Sequence, residues 1–438
     1  MDKQMNILDI DVKEAALGFG DDEWEPPSSF PDLTGYDRIS IDLETRDPNI
    51  TTLGPGWCRD DGYVIGYAVA AGDFVGYYPV RHEDGNLPEK LVVNWLKKQL
   101  ATPKIEKVMH NAMYDLGWLR WAGIEVQGPI IDTMIAAPLL NENRRFYNLN
   151  SLTGEYLGEY KNEKMLRAAA AMYHVDPKSD MWRLPSKFVG SYAEQDAAVT
   201  LRLWDRLRVD IKQDEVTSIF ELESSLLPVL LEMKTKGVRV DIDGAEKIQK
   251  DLQIREKKLL EEIRADTGVT VEPWAAASVA KAFDALGLKY HRTENTDAPS
   301  FTKQFLSNHT HPIAKKIVKL REFNKANTTF VETILEHSCN GRIHCDFNPL
   351  RSDEGGTVTG RFSSSHPNLQ QIPARDPEIK SMIRGLFLPE EDTQWGSFDY
   401  ASQEPRWLAH YCAQLTGVHR HPQIDSVIDM YHEGNADF

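Results

Sequence analysis

Hydrophobic and polar positions change their period as this chain is followed. From Arg38, "RISIDLE" alternates at period two, and "YVIGYAVAAGDFVGYYPV" holds two β-rich runs joined at Ala71, Gly72 and Asp73, a hairpin signal. "EKLVVNWLKKQL" then spaces its apolar residues as a helix does. "KVMH" reads as a short buried strand, and "AMYDLGWLRWAG" returns to helix closed by Gly123. This interleaving predicts a mixed α/β domain. From about Thr217 to Glu336 the pattern is helical, with "IFELESSLLPVLLEMKTKG" ending at Gly237 and "EKIQKDLQIREKKLLEEIRADTG" at Gly268. After Asn340, "RIHCDFNPL" and "QWGSFDY" regain strand character and predict a second sheet.

Residues 1–33 fit neither period. They hold nine acids against Lys3 and Lys13, with Pro26, Pro27, Ser28 and Ser29 near the end, which favours an extended acidic leader. A solvated leader is the plainer reading; Phe19, Trp24 and Phe30 also suit a partner-docking tail. The 438 residues, 41% hydrophobic, suffice for roughly three domains. No run approaches the ~20 apolar residues that span a bilayer, and the amino terminus lacks the order of a secretory signal, so a cytoplasmic location and no membrane partner are expected. Cys58, Cys339, Cys345 and Cys412 form no CxxC pair, which argues against a structural zinc or a disulfide framework. A net charge of −17 argues against nucleic-acid binding when taken alone. However, "HPIAKKIVKLREFNKANTTF" gathers Lys315, Lys316, Lys319, Arg321 and Lys325 against Glu322. That stretch is either a solvated helix face or a backbone contact.

Asp42 and Glu44 in "SIDLET" lie two apart on the first strand, so both side chains leave one face of the sheet. Asp115 follows Tyr114 in "HNAMYDLGWL", at the start of a helix. Tyr192 and Asp196 in "SYAEQDAAVT" are four apart and share a helical face. Any one of these motifs is more often a set of surface acids. Gathered together, the four carboxylates repel, each pair by roughly 4 kcal/mol at 4 Å and an effective dielectric near 20. Divalent cations are the natural compensation, and all-oxygen donors suit hard ions such as Mg²⁺ or Mn²⁺. Two such ions about 4 Å apart promote in-line phosphodiester cleavage.

The order DxE, NxxYD, YxxxD resembles that of the 3′-5′ proofreading exonucleases, and the strand-first pattern suits their ribonuclease H-like sheet. The resemblance implies that Asp42, Glu44, Asp115 and Asp196 are catalytic metal ligands for two Mg²⁺ (or Mn²⁺) ions, and that Tyr192 orients the attacking water. Further along, "TGRFSSSHPNLQQIP" and "DYASQEPRWLAH" resemble the start of the palm of the family A DNA polymerases. By that resemblance Arg361, Asn368, Gln370 and Gln371 contact primer and template. Asp399 is the catalytic palm carboxylate, and it holds metal together with the carbonyl of Tyr400. Glu404 crowds the sugar 2′ position with Arg406 beside it. The chain departs from the commoner pattern at Ala401–Gln403 and at Pro405. Neither a fingers helix nor the second palm carboxylate appears before Phe438, so negligible polymerisation is expected of this chain by itself.

The resulting expectation is an α/β fold, a ribonuclease H-like exonuclease followed by a helical thumb and a partial α+β polymerase palm. The boundaries are an acidic leader at 1–33, exonuclease at 34–212, thumb at 213–340 and partial palm at 341–438. Its partners are DNA, as primer-template and single-stranded 3′ end, and a second polypeptide carrying the fingers and remaining palm; dNTP enters only in the completed enzyme. The rival reading is a stand-alone metal-dependent 3′-5′ nuclease that uses its thumb and palm remnant to bind duplex.

Overall fold

Strand β1 (Arg38–Arg46) forms where the alternation is clearest, with Ile39, Ile41 and Leu43 buried and Asp42 and Glu44 on the opposite face. In the computed structural model, which describes residues 24–434 except 354 and 375, it is the centre of a five-stranded sheet. The other strands are β2 (Tyr63–Ala71), β3 (Phe74–Pro79), β4 (Glu106–Met109) and β5 (Ile130–Asp132), in the order β3-β2-β1-β4-β5. β1, β2 and β3 pair antiparallel, whereas β1, β4 and β5 run parallel. The expected hairpin turns at Gly72, whose φ of 56° lies in the left-handed region that glycine enters without steric cost.

Parallel pairing needs crossover helices, and the sequence supplies them. α1 (Glu89–Leu100) precedes β4, α2 (Ala112–Trp121) leads on to β5, and α3 (Thr133–Leu140) follows it. α4 (Leu149–Tyr156) and α5 (Lys164–Tyr173) come next, then the long α6 (Gly190–Gln213), which packs across β1, β2 and β3. α6 also covers the sheet edge: Glu194 accepts a hydrogen bond from Tyr77 N on β3 at 3.0 Å. Unpaired edge amides are otherwise open to another strand.

Residues 1–23, the greater part of the expected leader with Phe19, lie outside the described residues. Residues 24–33 form no helix or strand, yet they are held against the sheet domain. Phe30 stacks on Tyr78, the Trp95 indole donates to Pro31 O at 2.7 Å, and Leu33 is buried. The polar composition that suggests a free tail is outweighed here by the aromatic side chains it carries.

α7 (Thr217–Lys236) packs its Leu227 and Leu231 on this first core and leads into β6 (Val238–Val240). β6 joins a short antiparallel sheet with Arg342–Ile343, Ser338–Cys339 and Phe387–Leu388. α8 (Ile242–Thr267), capped by the Asp241 carboxylate accepting from Gly244 N, pairs with the helix Pro312–Lys325 around Ile263, Phe283 and Ile317. The strand character expected in "QWGSFDY" is not realised. Residues 394–400 carry no strand and are all exposed, and a strand without a ladder partner has no backbone bonds to hold it. By contacts the chain divides into two compact units, Met1–Leu388 and Pro389–Phe438. In the smaller one, helices Gln403–Gln414 and Ile424–His432 meet at Ala409, Ile424 and Tyr431. Among the described residues no helix is long and apolar enough to cross a membrane.

His82 is one of the groups in the first core whose protonation folding opposes. His82 Nδ1 lies 3.0 Å from Leu184 O, to which it donates, and its Nε2 accepts from the Tyr77 hydroxyl at 2.6 Å. Burial lowers the ring's pKa from 6.5 to about 4. A depressed pKa gives stability that is present above pH 6.5 and lost as the pH falls towards 4, worth about 3 kcal/mol at most. His82→Gln is expected to flatten the loss of stability between pH 6.5 and 4 in urea unfolding; an unaltered slope would remove His82 from that dependence.

Candidate active site

β1 outruns its parallel neighbour. β4 pairs with it only from Arg38 to Ser40, so the peptide groups beyond lack a strand on that side. The Leu43 N–H is taken instead by Asp115 Oδ1, at 3.1 Å. A crevice at the carboxyl ends of parallel strands is where open α/β sheets usually receive ligands. On the other edge, Glu44 faces Gly66 of β2, and a Cβ there would stand 2.1 Å from the Tyr77 hydroxyl. Immediately after Glu44 the register slips by a bulge, a device that re-aims side chains beside active sites.

Asp115 is placed by its helix start. Asn111 precedes α2 at a φ of 68°, a left-handed conformation that Asn tolerates better than most residues, and it turns the chain sharply out of β4. The buried carboxylate of Asp132 fixes this turn. Its Oδ1 accepts from Asn111 N at 3.0 Å and Met134 N at 2.8 Å, and its Oδ2 from Ala112 N at 2.8 Å. One acid at the end of β5 thus satisfies the first amides of both α2 and α3. Burial raises its pKa to about 6, with the backbone donors opposing the rise. The Tyr114 hydroxyl shares a 2.5 Å hydrogen bond with Thr45 Oγ1, pinning α2 to the end of β1.

α6 supplies the last acid. Ligand oxygens of Asp42, Glu44 and Asp196 all lie within 4.8 Å of one another. Asp115 flanks this trio, and the charges of Asp42 and Glu44 act on it. The pKa of Asp42 is pushed up to about 7 by burial and then by the Asp196 charge. Burial, with neighbouring carboxylates, carries Glu44 and Asp115 well above the usual range. Asp196 is raised by burial, against the pull of Lys161, and the Tyr192 phenol is pushed up by burial and by Glu44, so its hydroxyl stays protonated. One oxygen of Asp196, Oδ1, is buried with no hydrogen-bond partner. An orphaned buried carboxylate oxygen beside two further acids suits a hard divalent cation.

Sequence reasoning missed two residues here, Asp132 and Lys161. Lys161 Nζ lies 2.5 Å from Asp196 Oδ2 and 5.4 Å from the centre of the Tyr192 ring. Nothing in the local pattern around Lys161 marks it, because it reaches the acids from a loop between α4 and α5.

Of the other expected contacts, some belong to the larger unit and some to the smaller. Arg361, Asn368, Gln370 and Gln371 are exposed on the larger unit; Asn368 accepts from Gln370 N at 3.0 Å, and Gln370 Nε2 donates to Phe362 O at 2.9 Å. Nearby, the buried amine of Lys234 pairs with Asp346, whose other oxygen lies 2.8 Å from His366 Nδ1. In the smaller unit Asp399, Tyr400 and Glu404 are exposed, while Arg406 donates to Ala401 O at 2.8 Å and lies over the Tyr431 ring. The basic stretch is partly spent internally. Lys316 pairs with Glu262 and Asp266, Lys319 with Glu378, and Arg321 donates to Pro273 O and Phe301 O, whereas Lys315 and Lys325 are exposed.

Comparison with known proteins agrees with this architecture. The family described as 3′-5′ exonuclease matches residues 29–212, and DNA polymerase family A matches residues 242–419. A DNA-directed DNA polymerase of Pseudomonas phage M6 is 39% identical over 424 residues, covering 93% of this chain and 64% of that protein. DNA polymerase DpoZ of Acinetobacter phage SH-Ab 15497 is 30% identical over 410 residues, covering 87% and 63%. The chain therefore spans a little under two thirds of the length of these relatives. The POL domain of Pol1 from M. smegmatis, solved with DNA primer-template and dNTP, shares the fold at a TM-score of 0.70 and 21% identity, over 94% of this chain and 65% of that one.

Asp132 lies outside the acid cluster but sets the geometry of Asp115. Asp132→Ala strands three amides, one buried and two partly buried, and is expected to cost about 2–4 kcal/mol in urea unfolding. A loss under ~1 kcal/mol would mean that the turn holds without it.

Proposed function

This chain belongs to the family A DNA polymerases, with a 3′-5′ exonuclease domain ahead of part of the polymerase domain, and from that premise we propose that it removes nucleotides from DNA 3′ ends during replication. The observation that carries the reading is the set of Asp42, Glu44 and Asp196 oxygens within 4.8 Å, with Asp115 alongside and Asp196 Oδ1 unpartnered. We take residues 34–212 as the exonuclease, 213–340 as the thumb and 341–438 as partial palm, behind a leader at 1–33.

Asp42, Glu44, Asp115 and Asp196 would hold two Mg²⁺ or Mn²⁺ ions, whose charge activates water and stabilises the leaving 3′ oxygen when bound. The protonated Tyr192 hydroxyl both donates and accepts, and so orients the attacking water. The partly buried floor of the crevice keeps the dielectric low, which strengthens every charge interaction acting on the scissile phosphate.

In the polymerase portion, Arg361, Asn368, Gln370 and Gln371 would read the minor-groove acceptors common to all base pairs at the primer terminus, testing pair shape. The Asp399 carboxylate and the Tyr400 carbonyl would be palm metal ligands, with Glu404 against the sugar and Arg406 supporting it. Polymerisation would also require a fingers helix and a second palm carboxylate, with dNTP as substrate of the completed enzyme. The match to the polymerase family over residues 242–419 disfavours a stand-alone nuclease.

With a 5′-labelled primer and Mg²⁺, the chain is expected to give a ladder of shortened products. Asp42→Ala should slow it by on the order of 100-fold. A ladder unchanged in the mutant would refute the assignment of the acids. When a polypeptide carrying fingers and remaining palm is added, dNTP-dependent primer extension is expected, and Asp399→Ala should abolish it. Extension that survives this substitution would remove Asp399 from the palm site.

A further inference from the structure

The acid cluster contains a cation of its own. Lys161 approaches from the loop between α4 and α5, is largely buried, and places its ammonium 2.5 Å from Asp196 Oδ2. The charges of Asp42 and Glu44 also act on it. The loop is held at several points. Lys161 N donates to Asn150 Oδ1 at 2.9 Å, and Asn162 N to Gln195 Oε1 at 2.9 Å. Glu159 is paired with Arg202 at 2.5 Å. Gln195 and Arg202 belong to α6, the helix that carries Asp196, so the ammonium and its carboxylate are fixed to one rigid element.

This placement costs the amine its hydration, and burying an ammonium is unfavourable unless it is paired. Three carboxylates in the crevice, Asp196, Asp42 and Glu44, supply that pairing, and they gain from it, because without a positive charge they repel one another. A divalent cation that used both oxygens of Asp196 would compete with the ammonium for Oδ2.

We propose that Lys161 is a resident counter-cation of the carboxylate site, which neutralises Asp196 in the metal-free protein and is displaced from Oδ2 as a divalent ion binds. The inference rests on the reading of these acids as metal ligands. The protein therefore exchanges one positive charge for another at Asp196, and the crevice stays folded and open without metal. Lys161 acts on metal uptake through Asp196 and needs no contact with substrate.

The test is a titration of the purified chain with Mn²⁺, followed by the electron paramagnetic resonance signal of the free ion, together with thermal unfolding in EDTA. With Lys161→Met, at least one Mn²⁺ is expected to bind about tenfold more tightly, since the competing charge is gone. The same variant should melt below wild type in EDTA, and Mn²⁺ should close most of that gap. Lys161→Arg, which keeps the charge, should bind Mn²⁺ much as wild type does. Gln195→Ala, which only unpins the loop, should shift the affinity in the direction of Lys161→Met and by less; it carries the test should Lys161→Met not fold. A merely structural lysine would lower the melting temperature without tightening Mn²⁺. Unchanged or weaker binding in Lys161→Met, with wild type still taking up Mn²⁺, overturns the counter-cation alone. Wild type that takes up no Mn²⁺, or Asp42→Ala that takes up as much, overturns the metal reading as well.

Discussion

Mutual repulsion among crowded carboxylates, Asp42, Glu44 and Asp196 within 4.8 Å of one another and Asp115 beside them, is the constraint around which the larger unit is arranged. At separations of a few ångströms each pair opposes folding by kilocalories per mole, and no acid escapes by turning into solvent without giving up the crevice. The structure answers with fixed partners. The Leu43 amide, free because β4 stops short, is given to Asp115; the Lys161 ammonium is given to Asp196. Burial lifts Asp42 to about 7, so a proton relieves part of the charge near neutrality.

Asp132 shows the same residue type under the opposite rule. It is as buried as Asp115 and Asp196, yet its two oxygens take three backbone amides at the starts of two helices, and neither oxygen is without a partner. Asp196 keeps one oxygen without a partner. That difference in saturation, and not burial or acidity, separates an acid that holds the fold from one suited to chemistry.

The polymerase-family portion follows a different logic. Asp399, Tyr400 and Glu404 are exposed, and the arginine beside them is held by Ala401 and Tyr431. On the helix Pro312–Lys325, ion pairs absorb Lys316 and Lys319, and backbone carbonyls absorb Arg321, so its exposed charge is carried by Lys315 and Lys325. A count of bases in sequence overstates the positive surface, because it is blind to the acids that the fold brings alongside.

What the sequence determined by itself is whatever short-range chemistry repeats. Period-two alternation put Asp42 and Glu44 on one face of β1, a four-residue spacing put Tyr192 and Asp196 on one face of α6, and the hairpin turned at Gly72. Family resemblance extended that to the exonuclease and polymerase domains. Tertiary structure alone decided which polar groups satisfy which. Lys161 and Asp196 are 35 residues apart, Asp132 and Ala112 are 20 apart, and the bulge after Glu44 exists only as a mismatch between two paired strands. Strand character in "QWGSFDY" failed for the same reason, since a ladder bond belongs to two segments and one segment's composition cannot supply the other.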